Sequence, residues 1–225
     1  MKLTTSVFCL AIGSSAAAQD SVLYEFDIRV TSNDTLGTGL GGELLQLPVG
    51  AEGTFSILTR NEDTVFPSSD PGVVQSYVIE SIDFSVNGVT AGGQAGVYPS
   101  HDLFSSLSII DNLVFNENAH DTFGPGLLRF DHPDINHGTL ALGASGTVAN
   151  PPSLIVGTDL PLDLDLSLSL NNRFTLNAAA DTDLDVVFEY FDVTITQIPT
   201  PGAGALLALT GLAAMRRRRS MCGEV

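Results

Sequence analysis

The sequence has no tryptophan, one lysine and two cysteines among its 225 residues. Cys9 falls in an N-terminal apolar run and Cys222 lies beyond an arginine block, so everything between them is free of cysteine. Disulfide staples, thiolate metal sites and a cysteine nucleophile are therefore excluded from the middle of the chain. Lys2 is the only lysine, which removes Schiff-base chemistry. Cations are scarce altogether. Between residues 19 and 198 only Arg29, Arg60, Arg129 and Arg173 stand against all of the 26 acids except Glu224, four against 25, a net charge of −21. Such a domain repels nucleic acid and anionic membrane, because binding either depends on Lys and Arg neutralising phosphate. Also missing are a G-x-S-x-G elbow, a P-loop, a dinucleotide fingerprint and an H-E-x-x-H helix. No catalytic motif is left, and the chain is expected to be non-enzymatic.

What is present begins with the ends. MKLTTSVFCLAIGSSAAAQD carries a positive Lys2, an apolar stretch from Leu3 to Ile12 and small residues at Ala16, Ala17 and Ala18. This is the pattern of a secretory signal cut between Ala18 and Gln19 by an A-x-A rule. The apolar run is too short to span a bilayer, which takes about 20 helical residues. A lipidated cysteine fits poorly, since Cys9 sits inside the run, behind Val7 and Phe8. At the other end Ile198-Pro199-Thr200-Pro201-Gly202 precedes the apolar segment Ala203 to Met215, followed by Arg216, Arg217, Arg218 and Arg219. The arginines suit the cytoplasmic side of a membrane. Pro199 and Pro201 stop a helix from running back into the preceding domain. Three readings fit: a plain single-span anchor, a surface helix with a basic end, and a processed sorting signal.

The order of Pro-containing motif, apolar segment and arginine cluster, at the C-terminus of a chain with an N-terminal signal, resembles the PEP-CTERM class recognised by exosortases. The resemblance covers Ile198 to Arg219. This chain has Thr200 between Pro199 and Pro201, where the family usually has glutamate, and its trailing residues 220–225 are longer than usual. The resemblance implies export, processing at or near the motif by an exosortase-like enzyme, and an association with extracellular polysaccharide or biofilm. The middle of the chain also resembles the β-rich domains carried by such tails, in its early Gly53-Thr54-Phe55 and its late Leu/Asp run.

That middle is dominated by a period of two. Val22, Tyr24, Phe26, Ile28 and Val30 share one face, with Glu25, Asp27 and Arg29 on the other. Leu160 to Leu170 alternate with Asp and Ser and predict a half-buried strand. Leu184, Val186, Phe188 and Tyr190 share a face, then the set shifts to Phe191, Val193 and Ile195, which predicts a bulge near Tyr190. Further strands are expected around Gly53–Thr59, Tyr77–Val86, Leu103–Ile110, Leu127–Phe130 and Phe174–Asn177. Asn87-Gly88 signals a hairpin. Residues 67–72, 116–126 and 150–153 read as loops. The expected fold is all-β, an antiparallel, jelly-roll-like β-sandwich, with a signal helix before it and a short hydrophobic helix after it. The expected organisation is a signal peptide at 1–18, an acidic domain at 19–197, a sorting or anchor segment at 198–219 and a tail at 220–225.

Within the domain, Asp181, Asp183 and Asp185 place three carboxylates at alternate positions, a set of hard oxygen ligands that could take calcium. An EF-hand loop is not formed, since Val186 and Asp192 stand where glycine and glutamate are needed. The plain alternative is one solvated face of a strand. Asp131-His132-Pro133-Asp134-Ile135-Asn136-His137 groups imidazoles with carboxylates, as zinc sites do, but its composition is that of a surface loop. Carbohydrate binding needs aromatic platforms. Tyr24 and Tyr190 lie on core-facing stripes, which leaves Tyr98 in its Gly/Pro-rich loop as the candidate ligand residue. The sequence reading is thus an exported structural or adhesive protein, with a membrane-anchored carbohydrate- or calcium-binding module as the alternative.

Overall fold

The computed structural model describes residues 21–63, 74–94, 106–124 and 127–199. The expected signal helix and C-terminal helix lie outside these residues. Among the described residues no helix is long and apolar enough to cross a membrane.

The domain is all-β and antiparallel. Among the described residues ten strands run in order as β1 (Ser21–Asn33), β2 (Glu52–Asp63), β3 (Val74–Val86), β4 (Val89–Gln94), β5 (Ser106–Phe115), β6 (Asn118–Phe123), β7 (Leu127–Leu128), β8 (Ile135–Thr147), β9 (Asn171–Ala178) and β10 (Asp185–Ile198). They belong to one sheet, ordered β2-β1-β10-β9-β8-β6-β5-β3-β4, and β2 also bonds β3. That last pairing closes the path, so β1, β2, β3, β5, β6, β8, β9 and β10 form a ring with no free end. β4 hangs on β3 next to β5, and β7 hangs on β8 next to β6. Asp131 N donates to Gly92 O at 2.6 Å, linking β4 to the stretch after β7.

The period of two explains which side faces in. Val22, Tyr24, Phe26, Ile28 and Val30 are buried, while Glu25 is exposed and Arg29 reaches Glu52 at 2.8 Å and Glu189 at 3.3 Å on the outer surface. Apolar inside and charged outside is the reverse of a lipid-facing barrel. The interior is filled, not hollow. Phe55 of β2 stacks on Phe174 of β9 with centroids 4.3 Å apart, and Tyr24 of β1 meets Phe123 of β6 edge-on at 4.9 Å. Opposite walls therefore touch through their rings. In β10 the register shifts between Asp27/Asp192 and Ile28/Tyr190, making Phe191 the bulged residue, where the change of apolar face placed it.

Two expectations are corrected. Leu160 to Leu170 form no strand; the stretch is irregular, with a short 3-10 helix at Leu166–Leu168. Leu160 and Leu164 are buried, but Leu162, Leu168 and Leu170 are exposed. Pro161 has no N–H to give a ladder, and Asp165 Oδ1 accepts from Ser167 N at 2.9 Å and Ser167 Oγ at 2.6 Å, so local side-chain bonds replace strand pairing. The expected loop at 116–126 contains a strand. Asn116 and Glu117 take positive φ of 51° and 66° in a tight turn, and β6 starts at once.

Candidate functional site

The acidic stretch between β9 and β10 is a turn followed by a strand start. Asp181 Oδ1 accepts from Asp183 N at 3.0 Å, Leu184 N donates to Asp181 O at 3.1 Å, and Asn177 Nδ2 donates to Thr182 O at 3.2 Å. Asp181 is thereby tied to its own turn, as Asp side chains commonly are. Asp185 opens β10, and its carbonyl accepts from Asp34 N at 2.9 Å. Partial burial pushes the Asp185 carboxyl above the usual carboxylate range, and the neighbouring Asp34 charge adds to this. The structure thus brings Asp185 to Asp34 and leaves Asp181 and Asp183 exposed on the turn. No group of three or more His, Cys, Asp or Glu among the described residues is placed to hold a metal ion.

The histidine motif is not one loop, because β8 begins at Ile135 and carries His137. Burial lowers the His137 pKa. Asp134 N donates to His132 Nδ1 at 3.2 Å, so the proton of a neutral ring sits on Nε2, which lies 3.3 Å from Glu43 Oε2. Glu43 N in turn donates to Asp134 Oδ2 at 2.9 Å. Gly42 makes this approach possible: its φ is +54°, and a Cβ there would fall on the Asp134 carboxylate. The cluster fastens the 3-10 helix Gly42–Gln46 to the start of β8.

Other carboxylates hold the strap formed by residues 148–170 across one end of the ring. Asp121, 1% exposed, accepts from Asn112 N at 2.9 Å and from Ile155 N at 3.0 Å. Asp111 Oδ2 accepts from Gly157 N at 2.8 Å. Two tyrosines reach the same strap from below, Tyr24 OH donating to Pro161 O at 2.9 Å and Tyr77 OH to Thr158 O at 2.6 Å. Burial, and then Tyr77, pushes the Tyr24 hydroxyl far above its usual pKa, so it stays a donor at any ordinary pH. Nothing in the sequence separates these inward acids from the many outward ones. Only their position opposite backbone N–H groups does.

The ends of the domain meet. Ser21 and Ile198 are cross-strand partners in the β1–β10 ladder, so the chain enters and leaves the ring at one pole. Pro199 follows directly and is exposed. Ala16, Ala18, Gln19, Tyr98, Thr200, Pro201, Arg216, Arg217, Arg218 and Arg219 lie outside the described residues. Comparison with protein families, with curated proteins and with solved structures finds no match.

Proposed function

We propose that this is an exported bacterial cell-surface or matrix protein whose 198–219 segment is a PEP-CTERM-like sorting signal and whose folded domain has a structural or adhesive role. One observation carries this reading. The first and last strands pair out to Ser21 and Ile198, so a leader before residue 19 and a tail after residue 198 attach at the same pole. Both can then be removed, or one can hold a membrane, without disturbing a ladder pair. The export machinery, an exosortase-like processing enzyme and the membrane, through the C-terminal segment, are the partners this reading requires. A non-catalytic role is supported by Asp111 and Asp121, whose carboxylates are taken up by backbone donors. The net charge of −21 argues against nucleic acid. In this reading the closed ring is flattened into a sandwich of jelly-roll type, with β1, β2 and β3 facing β6, β8 and β9 across the aromatic core.

Mass spectrometry of both termini, on membrane and extracellular fractions separately, tests it. A mature species starting near Gln19 and ending near Thr200 outside the cell is the expected result. A membrane-bound species that keeps Leu206 to Arg219 would make the tail a permanent anchor and favour the second reading, a membrane-anchored carbohydrate-binding module.

A further inference from the structure

The outward side of β5, β6 and β8 differs from the rest of the ring. Ladder partners place Leu113, His120 and Ser145 in one row and Phe115, Asn118 and Thr147 in the next. Ala119 and Asp121 point inward from β6, so His120 and Asn118 point out with their ladder partners, although Val114, opposite Ala119, is 57% exposed as well. Phe115 is 66% exposed and Leu113 42%. Neither row contains a carboxylate, although the domain carries −21 overall. The opposite outer surface is the charged one, with Glu25, Asp27, Arg29, Glu52 and Glu189 on β1, β2 and β10. A strongly acidic domain has thus kept these two rows free of carboxylates, Glu117 of the β5–β6 turn being the acid at their edge, with an apolar column on β5 beside columns of amide, imidazole and hydroxyl groups on β6 and β8.

We propose that this face binds a neutral polysaccharide, with sugar rings lying on Phe115 and Leu113 and sugar hydroxyls bonding Asn118, His120, Ser145 and Thr147. The proposal rests on the adhesive reading above and gives it a surface and a partner class. Sugars present apolar C–H faces and hydroxyl edges together, which is what an aromatic beside polar columns can satisfy. A second copy of this chain suits the face less well. It would bring two domains of −21 together and leave amide and imidazole groups opposite their own kind, without partners. An anionic polymer would meet the repulsion of the whole domain.

Affinity electrophoresis tests it, using the full-length protein in mild detergent and native gels cast with dextran, amylose, xylan or hydroxyethylcellulose, and with alginate as the anionic comparison. At least one neutral polymer should retard the protein and alginate should not. Phe115→Ala and Ser145→Asp should each weaken that retardation about tenfold or more, corresponding to the loss of one good contact. Phe191→Ala, at an exposed aromatic on β10, should leave it unchanged, and melting temperatures should confirm that all three variants fold. Failure of every neutral polymer to retard the wild type overturns the proposal, as does equal retardation of Phe115→Ala. A concentration-dependent dimer, lost in Phe115→Ala and without glycan retardation, overturns it in favour of a second copy. The export reading fails or stands separately, on the terminal masses.

Discussion

Phe174 lies at the centre of the core, its ring 4.3 Å from Phe55, 5.5 Å from Phe188 and 6.1 Å from Phe84. Truncation to alanine should cost about 3–5 kcal/mol, the range for large aromatics in a filled interior, read by urea unfolding. Asp121→Ala acts differently. It leaves the buried Ile155 N without an acceptor, and a loss of about 1–3 kcal/mol is expected for a stranded donor. Asp185 shows the opposite sign. Its folded pKa is raised above the ordinary 3.8, by burial first and Asp34 second. Its contribution to stability is therefore fully present below about 3.8 and is lost as pH rises through the folded value, which makes the ionised pair a cost at neutral pH. Asp185→Asn should raise the melting temperature at pH 7, and the gain should vanish as pH falls below the carboxylate range. At this scale the apolar half was legible in the sequence, since Phe26, Phe174 and Phe188 announce themselves by alternation. The polar half was not. Asp121 and Asp181 look alike in a string of acids, and only the fold turns one inward against Ile155 and the other onto its own turn.

Among the elements, β1, β2, β3, β9 and β10 were legible because their inward positions are large and regular. β6 and β8 were not. β6 puts Ala119, Asp121 and Phe123 inward, a set with a small residue and a charge in it. β8 places Gly138 beneath Phe130 and Phe174, where a Cβ would come within 2.8 and 3.0 Å of their rings, so the strand's hydropathy is weak just where it packs best. The Leu160–Leu170 run misled for the converse reason: a clean alternation with nothing to pair against. Ser169 Oγ accepts from Gly143 N and donates to Gly143 O, both at 3.1 Å, and with Leu170 N on Gly143 O at 2.7 Å this is a single residue's worth of ladder. The strap is held by side chains, so it should be the first part to open. Tyr24→Phe and Tyr77→Phe together should speed amide exchange at Ile155 and Gly157, while the Phe26 and Ile57 ladder amides stay protected. Each lost bond should lower stability by only about 0.5–1.5 kcal/mol.

For the whole molecule, a closed ring means that no outer strand edge runs the length of the sheet, a known defence against edge-to-edge aggregation. The ring could not be read from the sequence, because β2 bonding both β1 and β3 is a matter of curvature, which hydropathy does not record. Its seam makes a prediction. Ser21 and Ile198 face one another in the ladder, and cross-strand Cα atoms lie about 4.5–5.5 Å apart. A circular permutant that joins them by a short glycine linker and opens new ends in the exposed turn at Gly37 should unfold cooperatively near the parent's melting temperature, as followed by circular dichroism.

The same seam decides how the molecule bears load. β1 and β10 run antiparallel with their outer ends side by side, so tension applied between those two ends pulls across the ladder, not along it. Its bonds then fail in sequence, as a zip opens, and the force needed is that of one pair at a time. A protein built this way withstands being held by either end alone, with the other slack. Stretched between both, it gives way from Ser21 and Ile198 inward.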